Sequence, residues 1–598
     1  MSRISLDAAE KGISLSTVRS FRSTFFCAAV LLGCILVSHP VVEAGVGDDW
    51  VYIWSARVLA DTGHVVYAGW ATAIVGWQLY LGAVFIKLFG FSFTAVRASV
   101  VLLALICAAL LHRIFLRLGL GDWNASIATL SVVLSSVFLP LATTFMSDVP
   151  GLFAILVCLY CCLRAVPEQS PAATIAWLAG AALSNDVLGT ARQICWLGVL
   201  VLVPSAAWCV RRRRGVPVAA AALWLLSLAF VAGCMHWFSQ QPYAVHEDFL
   251  FRYHRGHLEQ AHALTLTALL LVLPVLSAYL FKLRTSRGVV GYAAALVGAA
   301  TGCGLLLLDP SAYNQTHAMA APFLGDVPLA VRLVLVGSAF ACLFRFAAGL
   351  RSVLADPDAP PAFLRGLPGA LPARTLLLLF GPFTCAYMLL VVTRESLWPR
   401  YIVPVLPIFL FFLIWVYIGD APRRRLPILS AVIVAVLACE AVANTHDLFA
   451  RQGAYAAAAN RVLAAGVPRS QLEGGFELDG WAQLQSTGYV NDPNILVPAG
   501  AYKPRNLSGP PGCHGWFLDW TPSIQPRFTL SDVPSSCYPP APFPQQRYRS
   551  WCPPHDRAVF ISAIPAAVAA VAAGKPTPGA PPDEVPSNPA DLSPPAMP

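Results

Sequence analysis

Residues 71–90 read ATAIVGWQLYLGAVFIKLFG, twenty positions with one charge, Lys87. That length and composition are enough to cross a bilayer as a helix. Whether the stretch crosses decides the sidedness of everything after it. Upstream, Trp50–Ala60 and the turn Asp61-Thr62-Gly63 suit a helix lying along a membrane surface, with Ala71–Leu88 as its partner. Charge supports this reading. Lys and Arg concentrate in cytoplasmic loops. With 71–90 on the surface, thirteen spans remain, near 24–43, 94–116, 125–143, 149–165, 171–188, 192–210, 217–236, 263–283, 288–308, 328–348, 375–393, 401–419 and 426–445. This count places 21 Lys and Arg inside, including Arg211–Arg214, and nine outside before residue 450. A fourteenth span at 71–90 inverts every later loop and puts Arg211–Arg214 outside.

The composition fits the same class. The chain has 598 residues, 57 % apolar and 12 % charged, with a mean hydropathy of +0.64. Soluble globular proteins carry roughly 25 % charged residues, so an ordinary cytosolic enzyme and a disordered chain are both excluded. No stretch interleaves basic and aromatic residues as nucleic-acid binders do. The expected fold class is an all-α polytopic membrane protein of about 13 transmembrane helices with a C-terminal extracytoplasmic mixed domain. Its parts are a cytoplasmic N-terminus (1–23), a transmembrane domain (24–445) with a first outer loop at 44–93, the outer domain (446–572) and a Pro-rich disordered tail (573–598). The expected location is the inner (plasma) membrane, N-terminus cytoplasmic. The charged start followed by apolar Phe25–Val42 reads as an uncleaved first span. Of sixteen Cys, thirteen lie in apolar segments; Cys513, Cys537 and Cys552 lie in the outer domain, where a disulfide is permitted but its pairing stays open.

The outer loops hold the ionisable residues. Gly47-Asp48-Asp49-Trp50-Val51-Tyr52 follows the first span. Adjacent carboxylates near low dielectric repel and call for a metal, a cation or a proton; helix capping is the competing reading. Phe145-Met146-Ser147-Asp148-Val149-Pro150 reads as another helix start on the same face. Arg192-Gln193 opens a span, where a guanidinium faces protein or a polar cavity. The loop Arg394-Glu395-Ser396-Leu397-Trp398-Pro399-Arg400-Tyr401 offers forked donors that match phosphate oxygens, or an ion pair with Glu395. Residues 237–262 hold Arg252, His254 and Arg255 among further His and acids, but no strong metal spacing.

In order and sidedness these motifs resemble the GT-C superfamily of membrane glycosyltransferases. The bacterial family-39-like enzymes, which include protein O-mannosyltransferases and the lipid A aminoarabinose transferase, are the nearest in pattern. The resemblance is carried by Gly47-Asp48-Asp49-Trp50-Val51-Tyr52, Ala56, Leu59, Thr62-Gly63, Gln78, Gly82, Leu88-Phe89-Gly90-Phe91-Ser92-Phe93, Arg97, Phe145–Pro150, Arg400-Tyr401, Pro404 and Leu406-Pro407. It covers most of residues 24–420. The family often has Asp-Glu where this chain has Asp48-Asp49. The resemblance implies a thirteen-span GT-C-like fold and a sugar donor carried on polyprenyl phosphate. The absence of a Gly-rich nucleotide-binding loop agrees with such a donor.

On that basis Asp48 is the expected general base of an inverting transfer, with Asp49 and Asp148 as further catalytic carboxylates. They orient the acceptor, hold the partners of Asp48, or ligate a divalent metal (Mg or Mn), although the sequence shows no required cofactor. Arg192 and Arg400, with Arg252 and Arg255 in reserve, are the expected donor-phosphate ligands. Tyr52, Gln193, Tyr401 and His254 are the expected substrate-positioning residues. Expected partners are the lipid-linked donor, a lipid, glycan or protein acceptor, and membrane lipids; no nucleic acid is expected. The alternative class is a polytopic transporter or flippase, which often shows internal repeats and mid-membrane charges. A scaffold is the third reading, and it has no use for Asp48, Asp148 and Arg400 on one face.

Overall fold

The structure is a computed structural model. It describes residues 3–245, 255–281, 289–311, 328–353, 371–394, 396–420, 425–504, 513 and 515–563. The expected disordered tail, 573–598, lies outside the described residues. Among those described, nine helices are long and apolar enough to cross a membrane: Phe21–Ser38, Phe93–Arg117, Asp148–Ala165, Val216–Ser239, Leu258–Leu280, Val290–Leu308, Leu329–Arg351, Ala373–Val392 and Ile428–Ala464. Pro171–Leu188 is a further helix of 18 residues. Three other stretches read as spans are shorter or broken: Asp122–Val133 with Phe138–Ala142, the segment 193–209, and Leu406–Asp420. The chain is an all-α polytopic membrane protein with a small mixed domain at its C-terminal end.

The break at 193–209 has a visible cause. Arg192 is extended, Gln193–Trp196 is a 3₁₀ turn and Gly198–Leu202 a π-turn before the α-helix Val203–Cys209. The Asn185 side chain enters this backbone: its Oδ1 accepts the Val199 N–H at 2.7 Å. A Cβ at residue 198 would come within 2.6 Å of that amide, so Gly198 is what permits the insertion. A side chain inserted into the helical ladder is a recognised cause of such breaks.

The first loop forms two helices, Asp49–Thr62 and Gly76–Phe89. The second starts five residues later than the sequence suggests. Residues 63–75 instead run irregularly, with Gly69 N–H donating to Tyr243 O at 2.9 Å and Ala68 O accepting from Val490 N–H at 2.8 Å. Every residue of the first helix from Asp49 to Ala60 is buried within the protein. The C-terminal domain covers it, through edge contacts of Trp50 with Phe476 and Phe517 and of Trp54 with Trp481. The loop is also pinned at its entry. Glu43 accepts from the N–H groups of Phe93 and Thr94 at 2.8 and 3.3 Å, satisfying free donors of the helix Phe93–Arg117.

The helix Ile428–Ala464 has 37 residues, so it is about 55 Å long. That exceeds the ~30 Å hydrocarbon core, and its far half belongs to the C-terminal domain. There Tyr455, Ala458, Ala459 and Val462 pack on a four-stranded sheet. The sheet order is β1 (Leu472–Glu473), β2 (Phe528–Ser531), β4 (Pro554–Ala563), β3 (Gln546–Trp551). β1 and β2 are parallel; β2 and β3 each run antiparallel to β4, with Phe528 opposite Ala563 and Tyr548 opposite Arg557. Asp447 ties the helix to the hairpin by accepting from Ser550 Oγ, Trp551 N–H and Cys552 N–H at 2.7, 2.7 and 3.0 Å. Cys513 and Cys537 form a disulfide and Cys552 is free, which resolves the open pairing.

Candidate functional site

Asp48 and Asp49 are neighbours in sequence with different fates. Asp49 begins the first-loop helix and is 0 % exposed. Arg97 reaches it from the helix Phe93–Arg117, Nε to Oδ2 at 2.7 Å and Nη2 to Oδ1 at 3.2 Å. Val46 N–H adds a third bond at 2.8 Å. Arg97 also donates to Val42 O and Ala44 O at 2.7 and 2.6 Å. This is a closed, buried ion pair that shapes the loop. Removing one partner of such a pair leaves an uncompensated buried charge and costs about 3–5 kcal/mol. Arg97→Met is therefore expected to lower the detergent unfolding temperature and the yield of monodisperse protein, read by size-exclusion chromatography and thermal melts.

Asp48 points the other way. Its Oδ2 accepts from Arg400 Nη1 at 3.1 Å and its Oδ1 from Trp70 Nε1 at 3.1 Å. The side chain keeps 23 % of its surface exposed, and that of Arg400 28 %. Trp70 is itself packed among Phe476, Phe517, Trp516 and Trp520 of the C-terminal domain. Tertiary structure thus orients Asp48 from both sides.

Asp148 begins its own helix (Asp148–Ala165), and Arg192 donates to its Oδ1. Its Oδ2 is buried without a hydrogen-bond partner among the described residues. The loop before it is fastened to the first loop. Gln78 Nε2 donates to Phe145 O and Met146 O at 3.2 and 3.3 Å. Gly82 leaves room for the Phe145 ring, which a Cβ would meet at 2.6 Å.

A cavity of about 290 Å³ joins these groups. Tyr52, Asp148, Arg192, Gln193, Arg400 and Tyr401 line it, and Asp48 adjoins it through Arg400. Gln193 holds its position through Nε2 to Thr72 O at 2.8 Å. Burial, and then the Asp48 charge, push the Tyr52 phenol above its ordinary range, so it stays an O–H donor. The Tyr401 ring carries guanidinium carbons of Arg394, Arg192 and Arg400 at 5.0, 5.2 and 6.0 Å from its centroid. Cation–π contact of this kind holds cations together that otherwise repel. Three guanidinium groups thus face two carboxylates.

The structure brings together Asp48, Asp148, Arg192, Arg400, Tyr52, Gln193 and Tyr401. It sets Asp49 apart, against Arg97. Arg252 and His254 lie outside the described residues, as does the side chain of Arg255. Sequence reasoning quoted Arg394 but gave it no role, and passed over Trp70. The only signal for Arg394 was its place in the same short loop as Arg400; Trp70 had none, because the aromatic residues that hold its ring lie more than 400 positions away. Trp70→Phe keeps an aromatic ring, though a smaller one, and removes the hydrogen bond to Asp48, worth about 0.5–1.5 kcal/mol. It is expected to lower kcat up to about tenfold with KM unchanged, measured as steady-state turnover. Among the described residues no group of three or more His, Cys, Asp or Glu has metal-ligand geometry.

No protein-family model and no curated protein matches the sequence. Among solved structures the chain is similar in fold to ArnT from Cupriavidus metallidurans bound to undecaprenyl phosphate. That match has 14 % identity over 92 % of this chain and 98 % of that one, with a TM-score of 0.32. It is also similar to the oligosaccharyltransferase of Archaeoglobus fulgidus in the apo form, with 15 % identity, 83 % and 63 % covered, and a TM-score of 0.39. A third is the S. cerevisiae protein O-mannosyltransferase Pmt1-Pmt2 complex bound to the sugar donor, with 13 % identity, 37 % and 32 % covered, and a TM-score of 0.29. The matched part spans about a third of the yeast chain and under two thirds of the archaeal one.

Proposed function

We propose that the chain is an integral-membrane glycosyltransferase. It moves a sugar from a polyprenyl-phosphate donor to an acceptor hydroxyl on the extracytoplasmic face, with inversion. The observation that carries this is one cavity edged by a reachable carboxylate, Asp48, and lined by three arginines gathered on Tyr401. The motif resemblance of the sequence points the same way.

Asp48 is the general base because it alone of the three carboxylates is both oriented and reachable. Each of its oxygens accepts one bond in the structure and can accept another. It takes the acceptor proton as that oxygen attacks the anomeric carbon from the face opposite the leaving phosphate. The bond from anomeric carbon to phosphate oxygen breaks, and negative charge grows on the lipid phosphate. Arg400, Arg394 and Arg192 are placed to stabilise it; preorganised charge aimed at a developing anion is a large catalytic term. Asp148, which is 3 % exposed, keeps Arg192 in place.

The described residues do not fit a dedicated divalent-metal site. Asp49 is closed off by Arg97, Asp48 and Asp148 each hold an arginine, and three guanidinium groups already supply positive charge. No step is assigned to a metal.

The test is purified protein in lipid nanodiscs with a panel of polyprenyl-phosphate sugars and extracted native envelope lipids as acceptors. Release of free polyprenyl phosphate by wild type, and its loss in Asp48→Asn, is the expected result. No release with any donor from folded protein would favour the transporter class.

A further inference from the structure

A second cavity, of about 410 Å³, lies in the C-terminal domain, between the helix Ile428–Ala464, the start of the helix Phe476–Thr487 with the strand end before it, and the short helix Trp516–Trp520. Its size falls in the range of small-ligand sites. The walls are of two kinds. One is aromatic: Phe476, Trp516 and Phe517, with Trp516 stacked on Phe476 at 5.7 Å and still 62 % exposed. The other is polar: Glu473, Glu477 and Gln452. Glu477 accepts from Gln452 Nε2 at 2.7 Å, and Glu473 from Gly515 N–H at 2.5 Å. Gly515 allows that approach, since a Cβ there would stand 2.9 Å from Glu473 Oε1.

This pairing of surfaces matches one ligand chemistry. A sugar ring has a C–H face that packs on an indole and hydroxyl donors that meet carboxylate acceptors. An anionic ligand is disfavoured by Glu473 and Glu477 in the lining, where Asp479 and Arg451 are paired with Arg469 at 3.1 Å and Asp532 at 2.6 Å, respectively. An acyl chain has no use for the carboxylates.

Two residues of the cavity lining contact the residues that flank or hold Asp48. Glu477 accepts the N–H of Gly47, the residue before Asp48, at 3.2 Å. Trp516 lies 6.3 Å from Trp70, whose N–H holds Asp48. We infer that this cavity binds a saccharide portion of the acceptor beside Asp48, which makes the acceptor a glycan. This rests on the transferase reading above.

The test uses the full chain in nanodiscs and measures tryptophan quenching by a panel of neutral hexopyranose and pentofuranose trisaccharides. Wild type and Asp48→Asn are expected to bind at least one member. Trp516→Ala is expected to weaken that binding tenfold or more, and Trp516→Phe to recover much of it, which separates lost stacking from misfolding. Glu473→Gln is expected to weaken it about tenfold. Equal binding by Trp516→Ala, binding of no trisaccharide, or displacement of the trisaccharide by a Ser/Thr-rich peptide would overturn the inference. Trp516-dependent binding in protein that releases no polyprenyl phosphate keeps a saccharide site and removes the transferase reading. Release of polyprenyl phosphate with no trisaccharide bound removes the saccharide site alone.

Discussion

Asp48→Asn is expected to lower sugar transfer by about 10²–10⁴, the usual worth of a positioned general base. The substitution is nearly isosteric. Its single carbonyl oxygen can keep only one of the two partners, Trp70 or Arg400, that orient the carboxylate at 3.1 Å each, and its NH2 then faces the other donor. It also loses the capacity to take a proton. The pair is partly exposed, so one lost hydrogen bond, worth about 0.5–1.5 kcal/mol, is expected to lower the melting temperature only slightly, while release of polyprenyl phosphate with acceptor present collapses. Asp49→Asn separates the two neighbours. It weakens a buried ion pair with Arg97 and is expected to act on unfolding temperature first. If Asp49→Asn abolished turnover in protein of wild-type stability, and Asp48→Asn did not, the base would be assigned to the wrong residue.

Arg400→Ala is expected to lower kcat by about 10²–10³, the usual cost of one preorganised donor to a developing anion. Arg400 is a cleaner probe than Arg192. It is 28 % exposed, and its partner Asp48 keeps contact with water, so its removal strands no fully buried charge. Arg192 faces Asp148, whose side chain is 3 % exposed. Truncating Arg192 leaves a buried carboxylate uncompensated, so stability and catalysis fall together. Arg400→Lys is expected to recover only part of the loss. Lysine restores a point charge but not the planar fork that reaches Asp48 and phosphate together or lies over an aromatic ring. Turnover at saturating donor, with donor affinity measured in parallel, distinguishes this from simple loss of binding. A rise in KM at constant kcat would place Arg400 in ground-state binding only.

How much of this was legible in the sequence differs from residue to residue. Hydropathy and charge mark the apolar helices because partition into lipid is set segment by segment, by composition. The stretch 71–90 was read as a helix, and the structure has one over Gly76–Phe89. Its exact start at Gly76 was hidden, because residues 63–75 find their hydrogen bonds at Tyr243 and Val490. Helix periodicity alone could not show that Tyr455–Ala465 continues the last apolar helix. The join at 446–454 is polar enough to read as a boundary, yet the helix runs through it.

The candidate site divides along the same line. That carboxylates and arginines sit at span ends was a property of the sequence itself, since charge is excluded from lipid and collects where water or protein receives it. Which of Asp48 and Asp49 is reachable depended on Arg97, 48 positions from Asp49, arriving on one side and Arg400, 352 positions from Asp48, on the other. Adjacent residues in a sequence have the same local composition, so no local rule distinguishes them. Only the packing of distant helices decided that one carboxylate closes an ion pair and the other borders a cavity. The grouping of Arg192, Arg394 and Arg400 on one tyrosine, the Cys513–Cys537 bridge and the cavity beside Trp516 were decided there too, because each is a contact between segments that the chain brings together only by folding.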